Sequence, residues 1–270
     1  MSTLRLSEIW IYPIKSLGGI QLQHSLVLPK GLWYDRRWML VDDHGVAMTQ
    51  RVYPEMALFK PAINGDQLNI TYKKDKKEFG STGFAILHQL AKPKITAQVW
   101  NDQVEVQEVD PAVSQWFSDK LHIPCKLVSF PENNPRRVNS EYAIGDDHVS
   151  LADAYPFMMI GQASLDDLNA RLRDPVPMNR FRPTFVFTGG TAFLEDSWRD
   201  LSIGTVQFTA VKKCDRCVLT TVNQDTAEKG SEPLRTLSSY RKVDNNVYFG
   251  QNMIARDQGT VTIGDTINPS

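Results

Sequence analysis

The chain runs to 270 residues, 41% of them hydrophobic, with 30 Lys and Arg against 31 Asp and Glu; this is a globular composition that excludes disordered and collagen-like classes. A net charge of −1 excludes a whole-surface attraction for a nucleic acid polymer, so any anion site has to be a local cluster. No apolar run approaches the roughly 18 residues of a membrane helix, no signal-peptide hydrophobic region opens the chain, and three cysteines argue against a disulfide framework, so a soluble protein of the reducing cytoplasm is expected.

Residues 4–11 and 20–28 are rich in β-branched and aliphatic side chains and are predicted as strands, with Pro29-Lys30-Gly31 turning the chain after the second. A strand over 37–43 is stopped by His44-Gly45, and strands over 56–62 and 67–72 flank a hairpin turn at Asn64-Gly65-Asp66. The basic run Lys73-Lys74-Asp75-Lys76-Lys77 reads as a solvated hairpin loop. Helices are expected later. Asp110-Pro111 supplies an N-cap and a first-turn proline to 112–121. Residues 164–172 put Leu165, Leu168 and Leu172 on one face, with Asp166 and Asp167 in the first turn. Strands then return at 185–188, 205–211, 218–222 and in the tail 259–267. Short strands punctuated this often suggest small sheets or a barrel rather than alternating βα units. The expected fold class is mainly β with a few helices, in two parts, residues 1–125 and 126–270; the polar stretch 131–137 is the best linker candidate and Pro93 a rival.

Cys214-Asp215-Arg216-Cys217 is the sharpest local feature. As half a zinc site it lacks the other half, because Cys125 stands alone and His24, His44, His88, His122 and His148 have no paired ligand spacing. As a thioredoxin-like redox pair it should open a helix, whereas a strand is predicted to follow it. Two cysteines in a tight turn without function remain a third reading. Lys212, Lys213 and Arg216 surround the pair and favour thiolate, a soft metal ligand, and the same cations would attract a phosphate. Lys15, in Tyr12-Pro13-Ile14-Lys15-Ser16, stands at a strand-to-turn junction that is either solvated or holds phosphate with the turn amides. In Asp35-Arg36-Arg37-Trp38 a structural ion pair is the plain reading. Arg180-Phe181-Arg182-Pro183 alternates, so both arginines are expected on one face of an extended segment, as an anion site or as an ion-pair ladder with Glu195 or Asp196. The tryptophans 33, 38, 100, 116 and 198 are expected mostly in the core. No Gly-x-Ser-x-Gly elbow, phosphate-binding Gly-rich loop or His-Glu-x-x-His helix is present.

These segments, with Glu195-Asp196-Ser197-Trp198 and Phe249-Gly250-Gln251-Asn252, occur in one order along nearly the whole chain. In that order the sequence resembles the MOSC-domain proteins with an N-terminal β-barrel domain, the group of the mitochondrial amidoxime-reducing component and the bacterial YcbX-type reductases. The resemblance implies an N-terminal β-barrel-like domain and a MOSC domain with a β-barrel core, and a molybdenum cofactor, a pyranopterin dithiolene, between them. It implies Cys217 as the protein ligand to the metal and the catalytic residue. Lys15, Ser16, Arg36, Asp153, Arg182, Asp215, Arg216 and Asn252 then fall where the family holds the cofactor. Asn252 stands where the mitochondrial proteins carry a tyrosine, Thr184 replaces the asparagine usual after Phe-Arg-Pro, and Ala154-Tyr155 replaces Thr-Ser; these departures bear on substrate preference more than on cofactor binding.

The implied activity is two-electron reduction of N-hydroxylated small molecules, namely amidoximes, hydroxylamines and N-hydroxylated nucleobases, a detoxifying reaction. An alternative, from the MOSC domains of molybdenum cofactor sulfurases, is a cofactor or sulfur carrier without turnover. Nothing cysteine-rich follows Cys217, so an iron–sulfur domain is not carried within these residues. Electrons are expected from a separate ferredoxin or flavin reductase, unless the sequence is a piece of a longer chain.

Overall fold

The computed structural model describes residues 3–86 and 92–270. Among these the protein is mainly β, with three α-helices and several short 3-10 turns, as the composition of its apolar runs led us to expect. A nine-stranded sheet is ordered Ile267–Pro269, Asp200–Ile203, Val206–Asp215, Asn246–Ala255, Phe157–Gly161, Phe185–Thr188, Arg5–Ile11 and Ile20–Leu22, with Lys242–Val243 pairing off the path. Its core takes Leu6, Ile9 and Ile11 from the start of the chain and Phe157, Phe185, Phe208 and Met253 from its second half. Phe157–Gly161 and Phe185–Thr188 run parallel; the first is buried at every position, as strands covered on both faces are.

A four-stranded sheet pairs Trp38–Val41, Lys126–Ser129, Asp102–Glu108 and Lys94–Val99, and a three-stranded one pairs Phe59–Asn64, Gln67–Lys74 and Lys77–Ala85. Between them Ile14, Leu17, Phe59, Leu68, Phe117 and Leu127 form a second core. Helix Pro111–Leu121 closes over this core, its N-cap Asp110 accepting from Ala112 N and Val113 N. The lysine run is the exposed tip of a hairpin, with Asp75 and Lys76 at φ 50° and 63°.

Four expectations need correction. Residues 20–28 are two strands, Ile20–Leu22 and His24–Leu28, belonging to different sheets. The run from Met56 begins as a 3-10 turn, Pro54–Leu58, because Pro54 fixes the first turn; the strand starts at Phe59. The second helix is Gln162–Asn169, two residues earlier than expected, so Asp166 and Asp167 lie beyond its first turn. Its start is set by the buried carboxylate of Glu195, which accepts from Gly161 N at 3.1 Å and Ser164 Oγ at 2.8 Å. Residues 218–222 are a 3-10 turn, Val218–Thr221, instead of a strand. Among the described residues no helix is long and apolar enough to cross a membrane.

Candidate functional site

The segment after the first strand and the Asp35–Trp38 segment are zipped together. Tyr12 N donates to Asp35 Oδ1 at 2.7 Å, Arg36 N to Tyr12 O at 3.0 Å, Lys15 N to Trp38 O at 2.7 Å and Trp38 N to Pro13 O at 3.1 Å. This places Lys15, Ser16 and Arg36 side by side. Ser16 and Arg36 take φ of 64° and 50°, and Arg182 takes 54°. Left-handed backbone at non-glycine residues costs energy and gathers at functional sites. Tyr12 is the hub: the guanidinium carbons of Arg182 and Arg36 lie 4.1 and 4.4 Å from its ring centroid. Gly19 makes room for this ring, since a Cβ there would come within 2.6 Å of Tyr12 Cε1.

Arg182 Nη1 also donates to Leu17 O at 2.5 Å. Burial pulls its pKa down to about 10, with Tyr12 and Asp35 opposing and Arg36 adding to the shift. Arg180 does something else: it donates to Thr220 O and Glu232 O. The expected extended segment with both arginines on one face is therefore absent; Met178–Arg180 is a 3-10 turn and Arg182 follows in the left-handed region. The ion-pair ladder is absent too, because Glu195 serves the helix start and Asp196 pairs with Arg241 and Lys213.

Lys15 is buried and donates to Leu151 O at 2.8 Å and Asp153 Oδ1 at 2.5 Å. Arg51 reaches the other oxygen of Asp153 at 2.9 Å, and the Trp100 indole donates to the carboxylate at 3.2 Å. Burial lowers the Lys15 ammonium below the ordinary lysine range, against the pull of Asp153. Desolvation within the cleft acts to raise the Asp153 carboxyl, but Lys15 and Arg51 outweigh it and hold the group well below the usual carboxylate range. Arg36 is paired with Asp35, the structural ion pair the sequence suggested.

Val206–Asp215 carries Cys214 and Asp215 into the cleft, re-aimed by register shifts against Asn246–Ala255 between Ala210 and Lys212 and between Lys213 and Asp215. Cys217 caps the following 3-10 turn, its carbonyl accepting from Thr220 N and Thr220 Oγ1. The cations around the pair are engaged: Lys212 with Asp215, Lys213 with Asp196, and Arg216 with Phe249 O, Phe181 O and Met158 Sδ. The lowering that cationic neighbours were expected to cause fails at Cys214, which burial pushes up more than Arg216 pulls it down. All three cysteines are free thiols.

One cleft of about 380 Å³ is lined by all nine sequence-predicted site residues: Lys15, Ser16, Arg36, Asp153, Arg182, Asp215, Arg216, Cys217 and Asn252. Tyr12, Arg51, Trp100 and Arg136 were not singled out. Arg51 and Arg136 carry no motif. Tyr12 lay in a motif read for its lysine, and Trp100, assigned to the core, is 38% exposed over Arg51 and Lys15. Arg136 is buried and donates to Ser150 O, Ala152 O and Asp153 O, fixing the loop that carries Asp153. Trp33 is also exposed, whereas Trp38 and Trp198 are core residues. Among the described residues no three His, Cys, Asp or Glu side chains gather as a metal site; His88 lies outside them.

The protein is mostly β, and its cation-rich cleft, edged by two cysteines, draws its lining from all three thirds of the chain. Residues 3–124 match the MOSC N-terminal beta barrel domain and residues 146–268 the MOSC domain. The chain is 33% identical over 280 residues to mitochondrial amidoxime-reducing component 1 of Mus musculus, covering 97% of this chain and 81% of that protein. The Homo sapiens protein of that name gives 33% over 287 residues with the same coverage. Molybdenum cofactor sulfurase of rice (Oryza sativa subsp. japonica) is 30% identical over 267 residues, 93% of this chain and 32% of the sulfurase. The chain belongs to the family of MOSC proteins with an N-terminal β-barrel domain that includes the amidoxime-reducing components.

Proposed function

We propose that the chain is a molybdenum-dependent reductase of N-hydroxylated compounds, acting as R–N–OH + 2 electrons + 2 protons → R–N–H + water. The observation that carries this reading is the meeting of Cys217 with six cationic side chains against two carboxylates in one cleft, in a chain 33% identical to proteins named for amidoxime reduction. The cleft fits a pyranopterin dithiolene. A metal at Cys217 needs further ligands, since no cluster of protein ligands is at hand among the described residues, and a phosphorylated cofactor needs an excess of positive charge. Lys15, Ser16, Arg36, Arg182 and Arg216 would hold the anionic end, Asp153, Asp215 and Asn252 would contact the pterin, and Cys217 would ligate the metal. When bound, the cofactor supplies two sulfur ligands and a metal able to exchange two electrons.

The chain's own residues orient and shield. The Tyr12 stack fixes the arginine planes before any ligand arrives, and the Lys15–Asp153–Arg51 group ties three segments together at the mouth. Electrons come from a separate ferredoxin or flavin reductase in this reading. The cytoplasm is the proposed location, on the strength of three free thiols.

The test is molybdenum and pterin content per chain after expression with an intact cofactor pathway, together with benzamidoxime turnover. Near-stoichiometric metal and pterin are expected. Cys217→Ser should lose metal and turnover with its fold intact, and Cys214→Ser should be milder. Turnover retained in Cys217→Ser would remove the ligand assignment. The similarity to a cofactor sulfurase favours one other reading, a cofactor or sulfur carrier, which predicts bound cofactor that leaves readily and no benzamidoxime turnover.

A further inference from the structure

The cleft has two unlike walls. One is the cationic set built on Tyr12 and Lys15. The other is aromatic and comes from the long segment between Lys126–Ser129 and Phe157–Gly161. Tyr142 and Tyr155 both line the cleft and meet edge to face, with centroids 6.2 Å apart and an interplanar angle of 78°. Lys212, on the strand that leads to Cys217, sets its ammonium 5.1 Å from the Tyr142 ring centroid, and Asn139 lines the cleft beside them.

This wall is built rigidly although it lacks regular structure. Val138 N bonds Asp147 O, Val149 N bonds Arg136 O, and Tyr142 N bonds Asn139 O. Asp147 accepts from the amides of Ile144 and Gly145. Val138, Val149 and Ala152 bury against Ile254, with Tyr155 packed on them, and the Arg136 guanidinium pins the carbonyls of Ser150 and Ala152. Two rings preset at right angles give a flat ligand one face to stack on and one edge to abut, at little entropic cost. A small aliphatic group gains neither contact.

We propose that Tyr142 and Tyr155 are specificity-determining residues, and that they select planar aromatic or heteroaromatic N-hydroxylated compounds over aliphatic ones. This rests on reading the cleft as the reductase site, so the test separates the two ideas. The protein with its cofactor is titrated calorimetrically with benzamidoxime and with acetamidoxime in the absence of reductant, and kcat/KM is then measured for both. Tyr142→Leu/Tyr155→Leu should weaken benzamidoxime binding about tenfold, leave acetamidoxime within about twofold, and lower the kcat/KM ratio through KM at unchanged molybdenum content. Tyr142→Phe/Tyr155→Phe should restore binding and the ratio, because the rings and not the hydroxyls carry the contact. Binding without turnover in the parent chain, still lost in the leucine variant, would end the reductase reading and keep the aromatic wall. Equal benzamidoxime affinity in the parent and leucine chains, or no binding to the parent, would overturn the proposal. If the leucine chain fails to fold, the single variants Tyr142→Leu and Tyr155→Leu carry the same comparison, and an unchanged affinity ratio in both overturns it.

Discussion

Lys15 and Asp153 are 138 positions apart, and their meeting decides how the cleft mouth responds to acid. Lys15 is almost wholly enclosed, whereas 53% of the Asp153 side chain is exposed. Its carboxyl is held down by Lys15 and Arg51 against desolvation, so the pair's contribution to stability is present above the unfolded carboxyl value of about 3.9. It is lost as pH falls through the depressed folded value. Solvent screening keeps an exposed pair near about 1 kcal/mol, and stranding a buried lysine adds to that, so Asp153→Asn should cost about 1–2 kcal/mol at pH 7. Urea melts at pH 7, 5 and 3 check this: the gap between parent and variant should be full at the first two and narrow at the third. A gap that stays constant at pH 3 would mean the asparagine disturbs packing and not charge. This residue-to-residue level is where the sequence spoke least. Lys15, with two apolar runs around it, reads equally as solvated or anion-binding, and its buried place depends on Leu151 and Asp153, which local pattern cannot connect to it.

The element that carries Cys217 teaches a related lesson. Val218-Leu219-Thr220-Thr221-Val222 has the β-branched composition of a strand, yet folds as a 3-10 turn because its threonines bond backward: Thr220 Oγ1 to Cys217 O at 3.0 Å and Thr221 Oγ1 to Val218 O at 2.8 Å. Hydroxyl-to-carbonyl bonds of this kind compete with sheet pairing, and composition alone does not reveal which wins. Helix Pro111–Leu121 was legible for the opposite reason, since its cap and its proline act within three residues of the chain. The turn's dependence on threonine gives a prediction. Thr220→Val keeps the shape and deletes the hydroxyl, and should cost about 1 kcal/mol by urea denaturation. It should also raise the alkylation rate of Cys217 relative to buried Cys125, because the carbonyl that anchors the thiol's residue then keeps only the Thr220 amide. Equal rates in both chains would show that the backbone bonds suffice.

At the scale of the whole molecule the two matched regions are stitched through each other. Arg5–Ile11 pairs with Phe185–Thr188 in the nine-stranded sheet, and His24–Leu28 pairs with Gly259–Thr262. Lys126–Ser129, which lies between the two matched regions, joins a sheet of the first with Trp38–Val41 and Asp102–Glu108. Most of the strands were readable from local pattern; this exchange was not, because strand partners so far apart in the chain leave no periodic signal. The exchange makes the cleft conditional on both halves, since Lys15, Ser16 and Arg36 arrive from one and Cys217 from the other. It also sets an energy scale. Removing the first strand takes Leu6, Ile9 and Ile11, each 1% exposed or less, out of the core and uncovers the side chains packed on them. At about 1.5–3 kcal/mol per buried side chain, that loss is comparable to the total stability of an ordinary domain, about 5–15 kcal/mol. It further bares the edge of Phe185–Thr188. The full chain should therefore unfold in one urea transition, coincident by tryptophan fluorescence and far-UV circular dichroism, and residues 126–270 expressed alone should show no cooperative transition. Two separated transitions in the full chain, or a cooperative melt of the isolated segment, would mean that the first strand only decorates a self-sufficient second half, and that the cleft is an interface between domains that fold independently.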